Sequence, residues 1–290
     1  MTLVIPAQWV WDYKSDANGH LQRFKARMVA CGNKQDDTAW ARSLYSYVVR
    51  MSTLRILIAL VAYMDLECEQ LDVITAYLNS HLNADEEVYI RLPPGCPKEY
   101  PSIVRLLRGM YGLRQAAILW YEDLKKSLAA MDYRALDADP CVFIHKSNGS
   151  IIVVYVDDLI LITRSVAEMT RLKALIAGRY KVRDLGALSY YLGIRFTRDR
   201  IRKTISMSME AYFDRLTQEY HLTDAPSEEY PLPKDVLKLD KNTEQATPDK
   251  IKEYQSLVAK LLYPTTICRQ MPLGTSPIWL ALPVIRRLNR

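Results

Sequence analysis

Ile151-Ile152-Val153-Val154-Tyr155-Val156-Asp157-Asp158-Leu159-Ile160-Leu161-Ile162-Thr163 is the stretch that decides how this chain folds. Two apolar, β-branched runs flank a pair of adjacent aspartates, the pattern of a strand, a tight turn and a returning strand. Runs that are apolar on both faces read as strands covered from both sides, so the hairpin belongs deep in a sheet with its turn facing open space. Hairpin turns favour Asn-Gly or Asp-Gly because positive φ is needed, and Asp-Asp relieves backbone strain less well than glycine. Asp157 and Asp158 are thus either an ordinary solvated turn or a pair of carboxylates that something else requires.

The surrounding composition permits a full core. The chain has 290 residues, 49% of them apolar and 25% charged, with a net charge of +6. That excess argues only weakly for a polyanionic partner, and the placement of the cations matters more than their sum. Five cysteines, at 31, 68, 96, 141 and 268, form no Cys-x-x-Cys and suit neither a disulfide framework nor a zinc site. With no leader-like start and no run near the roughly 18 apolar residues of a membrane span, the expectation is an intracellular protein, neither secreted nor membrane-bound.

Working outward from the hairpin, residues 9–14 and 21–30 read as two strands joined by a turn at Asp16-Ala17-Asn18-Gly19. Side chains repeat every second residue on a strand, so Arg23, Lys25 and Arg27 share one face and make a candidate phosphate-binding ribbon. A dispersed, solvated face is the plain alternative. Residues 32–46 read as a loop, and 51–64 as a helix apolar nearly all round and therefore buried. In the next expected strand, 68–76, Asp72 interrupts an apolar context, and buried acids are rare without a partner or a metal. Strands follow at 86–92 and 103–107. Gly109-Met110-Tyr111-Gly112-Leu113-Arg114-Gln115 then leads into a helix over 115–131, placing Arg114 and Gln115 at its N-terminus. Further expectations are a strand at 141–145, a helix at 166–180, a glycine-broken strand pair at 185–194, a strand at 204–208 and a helix at 209–220. Residues 225–248 read as an extended linker, 251–263 as a last helix, and 270–290 as a tail without a clean period.

Acids on two separate strands, with helices interleaved, describe an α+β sheet able to gather Asp72, Asp157 and Asp158. Three clustered carboxylates repel unless cations sit among them. Hard divalent ions take oxygen ligands, and a pair of them about 3.5–4 Å apart stabilises both oxygens of a phosphoryl displacement.

Tyr155-Val156-Asp157-Asp158 resembles the Tyr-x-Asp-Asp box of reverse transcriptases, and further blocks resemble the copia-type retrotransposon group in order. Arg23 to Ala30 is similar to its fingers motif, Val48 to Met51 to the lead into the next helix, and Gln70 to Asn79 to its first catalytic motif. Leu106 to Tyr121 resembles its Leu-Tyr-Gly-Leu-Lys-Gln block, and Asp184-Leu185-Gly186 with Tyr191 to Ile194 the motif near the primer terminus. The resemblance runs from about Trp9 to Arg269.

It implies a right-hand polymerase: fingers and palm over 8–224 with an antiparallel palm sheet backed by helices, a linker over 225–248, a partial thumb-like helical end over 249–269, and an off-pattern tail over 270–290. Asp72, Asp157 and Asp158 would bind two Mg2+ ions, with Mn2+ as a substitute, helped by the Val73 carbonyl; Asp158 is the weakest of the three as a direct ligand. Lys25 and Arg27 would hold the triphosphate of a dNTP, Tyr77 would exclude a ribose 2′-hydroxyl, and Gln115 would line the nucleotide pocket. A core aromatic is the plain alternative for Tyr77. Tyr155, Leu192, Gly193, Arg23 and Arg114 would contact primer and template. The implied partners are an RNA or DNA template with its primer, and the integrase and RNase H of a Pol polyprotein. The implied setting is a cytoplasmic virus-like particle, with the nucleus as a second compartment.

Departures from the family pattern are as specific. Cys31-Gly32 stands where the family has Lys-Gly, Leu44-Tyr45-Ser46-Tyr47-Val48 lacks the family's proline, Ala117 replaces a proline, and Gln270-Met271-Pro272 follows Cys268-Arg269 in place of Thr-Arg-Pro-Asp. A decayed copy that keeps the fold and at most binds nucleic acid is therefore the competing expectation. A metal nuclease on an unrelated sheet is a distant third.

Overall fold

The computed structural model describes residues 4–15, 20–35, 46–83, 86–221 and 247–268. The expected turn at 16–19, most of the loop before 46, nearly all of the linker and the tail after 269 lie outside them. The chain divides into two units, Met1–Leu188 and Ser189–Arg290. The expected boundary at 224 also lies outside the described residues.

The first unit runs β1 (Val4–Ser15), β2 (Leu21–Ala30), α1 (Met51–Tyr63), β3 (Glu67–Val73), β4 (Tyr89–Arg91), β5 (Ile103–Arg105), α2 (Ala116–Ala130), β6 (Tyr133–Ala135), β7 (Val142–His145), β8 (Ile151–Tyr155), β9 (Asp158–Thr163), α3 (Val166–Arg179) and β10 (Val182–Ala187). Six strands form an antiparallel sheet in the order β10-β3-β9-β8-β7-β6. Its central hairpin is the opening stretch. Ile152, Val153 and Val154 of β8 and Leu159 to Ile162 of β9 are all buried, because both faces of these strands are covered. Helix α3 lies against β9 and β3. Trp120 of α2 meets Tyr180, just past the end of α3, edge to face at 5.1 Å. Helix α3 starts where the sequence supplies a cap: the Ser165 hydroxyl accepts from the Glu168 N–H, and the Glu168 carboxylate accepts from the Arg164 N–H.

A second sheet has the order β2-β1-β4-β5, antiparallel except where β1 runs parallel to β4. Its core joins Ile5, Ala7, Ala30 and Ile90 to Met110, Leu113 and Ala116 from the glycine-bracketed entry to α2. That entry needs its glycines: Gly112 has φ +89°, and a Cβ there would lie 2.0 Å from the Ala30 carbonyl oxygen.

The second unit holds β11 (Tyr190–Tyr191), β12 (Ile194–Asp199) and β13 (Thr204–Ser208) as one antiparallel sheet, with α4 (Glu210–Glu219) and α5 (Pro248–Ile267). The Tyr212 hydroxyl of α4 donates to the Lys260 carbonyl of α5 at 2.8 Å, and Lys260 pairs with Glu219.

Several expectations change. Helix α1 is not buried all round: Ile56 and Tyr63 are 62% and 77% exposed, since only the Leu54, Leu57, Ile58 and Val61 side meets the core. The stretch read as one glycine-broken strand pair splits, with β10 extending the six-stranded sheet along β3 and β11 pairing with β12 instead. Neither β6 nor β12 stood out from its local pattern. Helix α5 begins at Pro248, which was read as linker; the Thr247 hydroxyl caps it, and proline suits a first turn that lacks N–H partners in any case. Among the described residues no helix is long and apolar enough to cross a membrane.

Candidate active site

Sheet register, more than sequence proximity, assembles the acids. Asp72, next to last in β3, pairs directly with Asp158, the first residue of β9. Directly paired residues point to the same face of an antiparallel pair, so the two carboxylates stand side by side. Asp157 is brought in by the turn, whose Asp157 carbonyl accepts from the Val73 N–H at 2.8 Å.

The turn itself differs from expectation. Its two central residues are Val156 and Asp157, because Asp158 is already paired with Tyr155 inside the hairpin. The residue at positive φ is Val156, at +58°, a strained conformation for a β-branched side chain. The buried Trp120 indole N–H donates to the Val156 carbonyl at 2.6 Å and helps to hold the turn there. After β3 the chain bends away through Thr75, also left-handed at φ +54° and ψ +48°. Two β-branched residues at positive φ therefore flank the acids, and backbone strain of this kind is found where neighbouring structure over-determines a site.

Electrostatics follow from this crowding. Burial pushes the Asp157 carboxyl above its usual range and Asp72 adds repulsion, while Lys25 and Arg27 pull it back. Asp158 is pushed up to about 6, first by burial and then by Asp157, against an amide hydrogen bond from Gln70 at 3.4 Å. Arg183 of β10 stands opposite Asp72 in register, and its guanidinium lies 3.8 Å from that carboxylate. Burial, with Asp157 adding repulsion, raises the Tyr77 and Tyr111 phenols, whose rings meet edge to face at 4.7 Å.

Among the residues bordering a cavity of about 870 Å³ are Arg23, Lys25, Arg27, Asp72, Val73 and Asp157. It thus brings together six of the residues picked out from the sequence. Asp158 is not part of the lining, and Tyr77 stands beside it, half-buried and packed against the core of the second sheet. Gln115 and Arg114 are elsewhere. Gln115 is 1% exposed and accepts from the Gln35 amide at 2.9 Å, and Arg114 donates from Nε to the Gly32 carbonyl at 2.7 Å. Both fix the turn after β2, because the close approach of Gly32 and Gly112 folds that turn over the start of α2. Tyr155 sits at the foot of the hairpin, in register with Asp158. Leu192 and Gly193 lie in the second unit with φ +51° and +77°, and the Leu192 carbonyl accepts from the Tyr263 hydroxyl at 3.3 Å.

The cavity also holds Arg105, Arg108 and Arg183, none of which the sequence singled out, and Tyr111 of the entry to α2, to which it gave no role. Arg183 had a signal only in retrospect: a cation one residue before the Asp184-Leu185-Gly186 motif means nothing until β10 is known to pair with β3.

Among the described residues no group of three or more His, Cys, Asp or Glu is placed to cage a metal ion. Asp158, paired with Asp72 in register, accepts a hydrogen bond from Gln70 and lies outside the cavity lining. What the cavity offers is two oxygen donors, Asp72 and Asp157, whose mutual repulsion a cation would relieve. Magnesium is held in that way, by one or two carboxylates completed by substrate phosphates and water, so the residues fit such an ion.

The family model described as reverse transcriptase (RNA-dependent DNA polymerase) matches residues 2–234. The retrovirus-related Pol polyprotein from transposon TNT 1-94 of Nicotiana tabacum is 30% identical over 273 residues, which is 89% of this chain and 20% of that protein. That from transposon RE2 of Arabidopsis thaliana is 29% identical over 265 residues, 90% of this chain and 18% of the relative. A transposon Ty5-1 protein of Saccharomyces cerevisiae is 32% identical over 197 residues, 67% of this chain and 62% of its own length. The chain thus spans about a fifth of the length of the first of these curated relatives. A solved structure of apo telomerase from Candida tropicalis, truncated from its C-terminal domain, aligns at 10% identity over 70% of this chain and 55% of that one, with a TM-score of 0.37. The extent of the family match makes this chain a member of the reverse transcriptase (RNA-dependent DNA polymerase) family, of the kind carried by retrotransposon Pol polyproteins.

Proposed function

We propose that this chain adds deoxynucleotides to a primer 3′-hydroxyl on an RNA or DNA template, as the polymerase part of a longer Pol polyprotein. One observation carries the reading: Asp72 and Asp157 meet Arg23, Lys25 and Arg27 across one cavity. Acids facing cations over open space suit a reaction in which metal and triphosphate arrive together. In this reading the sheet of β1, β2, β4 and β5 is the fingers, the six-stranded sheet is the palm, and the helices of the second unit begin a thumb.

Asp72 and Asp157 would hold magnesium, with manganese as a substitute. When bound, the ion lowers the pKa of the primer hydroxyl and stabilises charge on the phosphoryl oxygens, so no protein base is required. Lys25 and Arg27 neutralise the triphosphate, with Arg23 beyond them on the same face, and charge-assisted contacts fix its orientation. Asp158, beside Asp72 in register and hydrogen-bonded by Gln70, acts as a positioning residue and the weakest of the three as a direct ligand. Tyr77, supported by Tyr111, stands beside the cavity where it would press against a ribose 2′-hydroxyl. Tyr155 and the Leu192-Gly193 turn would bear on the primer and Arg114 on the template side, while Gln115 supports the nucleotide pocket from beneath through Gln35. Integrase and RNase H, as parts of the same polyprotein, are the partners this reading supplies, in a cytoplasmic particle or in the nucleus.

The test is primer extension on a primed homopolymer with magnesium. Asp157→Asn should abolish extension and leave salt-sensitive template binding intact. Extension that survives in this variant would overturn the catalytic assignment, and wild-type protein that binds but never extends would establish the decayed-copy reading.

A further inference from the structure

Two successive carbonyls of the turn between β8 and β9 are pinned from different elements. The Asp157 carbonyl accepts from the Val73 N–H of β3 at 2.8 Å, and the Val156 carbonyl from the Trp120 indole N–H of α2 at 2.6 Å. Of the two central residues only Val156 has positive φ, the sign pattern of a II′ turn, whose first central position ordinarily takes glycine. Nothing local favours a valine there, so the turn is held in this form from outside. The indole that holds it is itself braced. Trp120 and Tyr180 are both buried, and their rings meet edge to face. The Tyr180 hydroxyl donates to the Asp123 carboxylate at 2.9 Å and lies 2.6 Å from the Ser127 hydroxyl. Asp123 and Ser127 follow Trp120 along α2, so one helix carries the indole and clamps the ring behind it.

We propose that Trp120, backed by Tyr180, is a positioning residue that keeps this turn in its strained form and so aims the Asp157 carboxylate at the cavity; the inference rests on the polymerase reading above and deepens it. The direction of the Asp157 side chain is set by the peptide units on either side of it. Val73 fixes the one that follows and Trp120 the one that precedes. Without the indole N–H, Val156 is free to return to negative φ, which changes the turn type and swings Asp157 with it. The opposite dependence, in which the carbonyl merely satisfies a buried indole, requires no strain at Val156 and makes glycine there irrelevant.

The test uses the full chain, without magnesium or dNTP, and reads hydrogen exchange by NMR at the Val73 amide, whose acceptor is the turn. The Ile160 and Leu161 amides, mid-strand in β9 between β3 and β8, report opening of the sheet as a whole. Trp120→Phe keeps a ring and removes the N–H; it should speed Val73 exchange about tenfold beyond any change at Ile160 and Leu161. Adding Val156→Gly, which tolerates positive φ, should return Val73 to within about threefold of the wild-type rate. Tyr180→Phe, which frees the backing ring from Asp123 and Ser127, should speed Val73 in the same direction by about threefold. Val73 exchange unmoved in both variants, or a rise that glycine does not reverse, overturns the strut and leaves Trp120 as core packing. Extension with magnesium is read separately: Trp120→Phe should lower kcat about tenfold with the KM for dNTP unchanged, and Val156→Gly should restore it. The expected exchange pattern beside an unchanged kcat overturns the positioning role. Wild-type protein that never extends refutes the polymerase reading, while exchange at Val73 still decides whether Trp120 holds the turn.

Discussion

Asp158 shows how a single side chain carries a measurable signature of this site. Its folded value is about 6, above the ordinary 3.8, because burial and the neighbouring Asp157 disfavour its charge. A carboxyl raised in this way contributes stability that is complete below about pH 4 and is lost as pH rises through about 6. The metal-free protein should therefore lose stability over that window. Asp158→Asn should flatten the loss and raise the urea midpoint at pH 7 to 8, measured by fluorescence at several pH values; an unchanged slope would mean that Asp158 is not the group responsible. At the same scale the sequence was legible for Asp72 and Asp157, whose chemistry clashes with their apolar neighbours. The burial of Gln115, which the resemblance puts at the nucleotide pocket, was not legible, because the Gln35 amide that it accepts from is 80 residues away in sequence.

Among the elements, the entry to α2 is fixed by backbone contact more than by side chains. Ala30 donates to the Tyr111 carbonyl at 2.8 Å, and Gly112 touches the Ala30 carbonyl from the left-handed region. Gly112→Ala must move backbone and should cost about 3 kcal/mol or more, read from denaturant unfolding. Gly178, in α3, has nothing within 4 Å of an added Cβ, and Gly178→Ala should stabilise by about 1 kcal/mol through helix propensity. Equal effects at the two glycines would refute the close approach. The hairpin of β8 and β9 was readable because an apolar run is a local signal. The turn position was not: pairing of Tyr155 with Asp158 moved it to Val156 and Asp157. Helix α1 misled because nearly uniform apolarity does not say which side meets the core.

For the whole molecule, charge placement gives the prediction. A net charge of +6 is modest, but Arg23, Lys25 and Arg27 stand on one face of one ribbon at the cavity. Replacing Lys25 and Arg27 with glutamine should raise the dNTP concentration needed for half-maximal primer extension about tenfold or more, and an unchanged requirement would remove the triphosphate contacts. By itself the sequence determined most of the strands, the helices, the identity of the acids and the basic ribbon, because alternation, helical period and turn chemistry are properties of neighbouring residues. Only the tertiary structure decided that Asp72 faces Asp158, that Arg183 faces Asp72, that Gln70 donates to Asp158, and that β10 leaves its sequence neighbours for β3. Those outcomes depend on register between distant strands, where a slip of one residue would send every side chain to the opposite face.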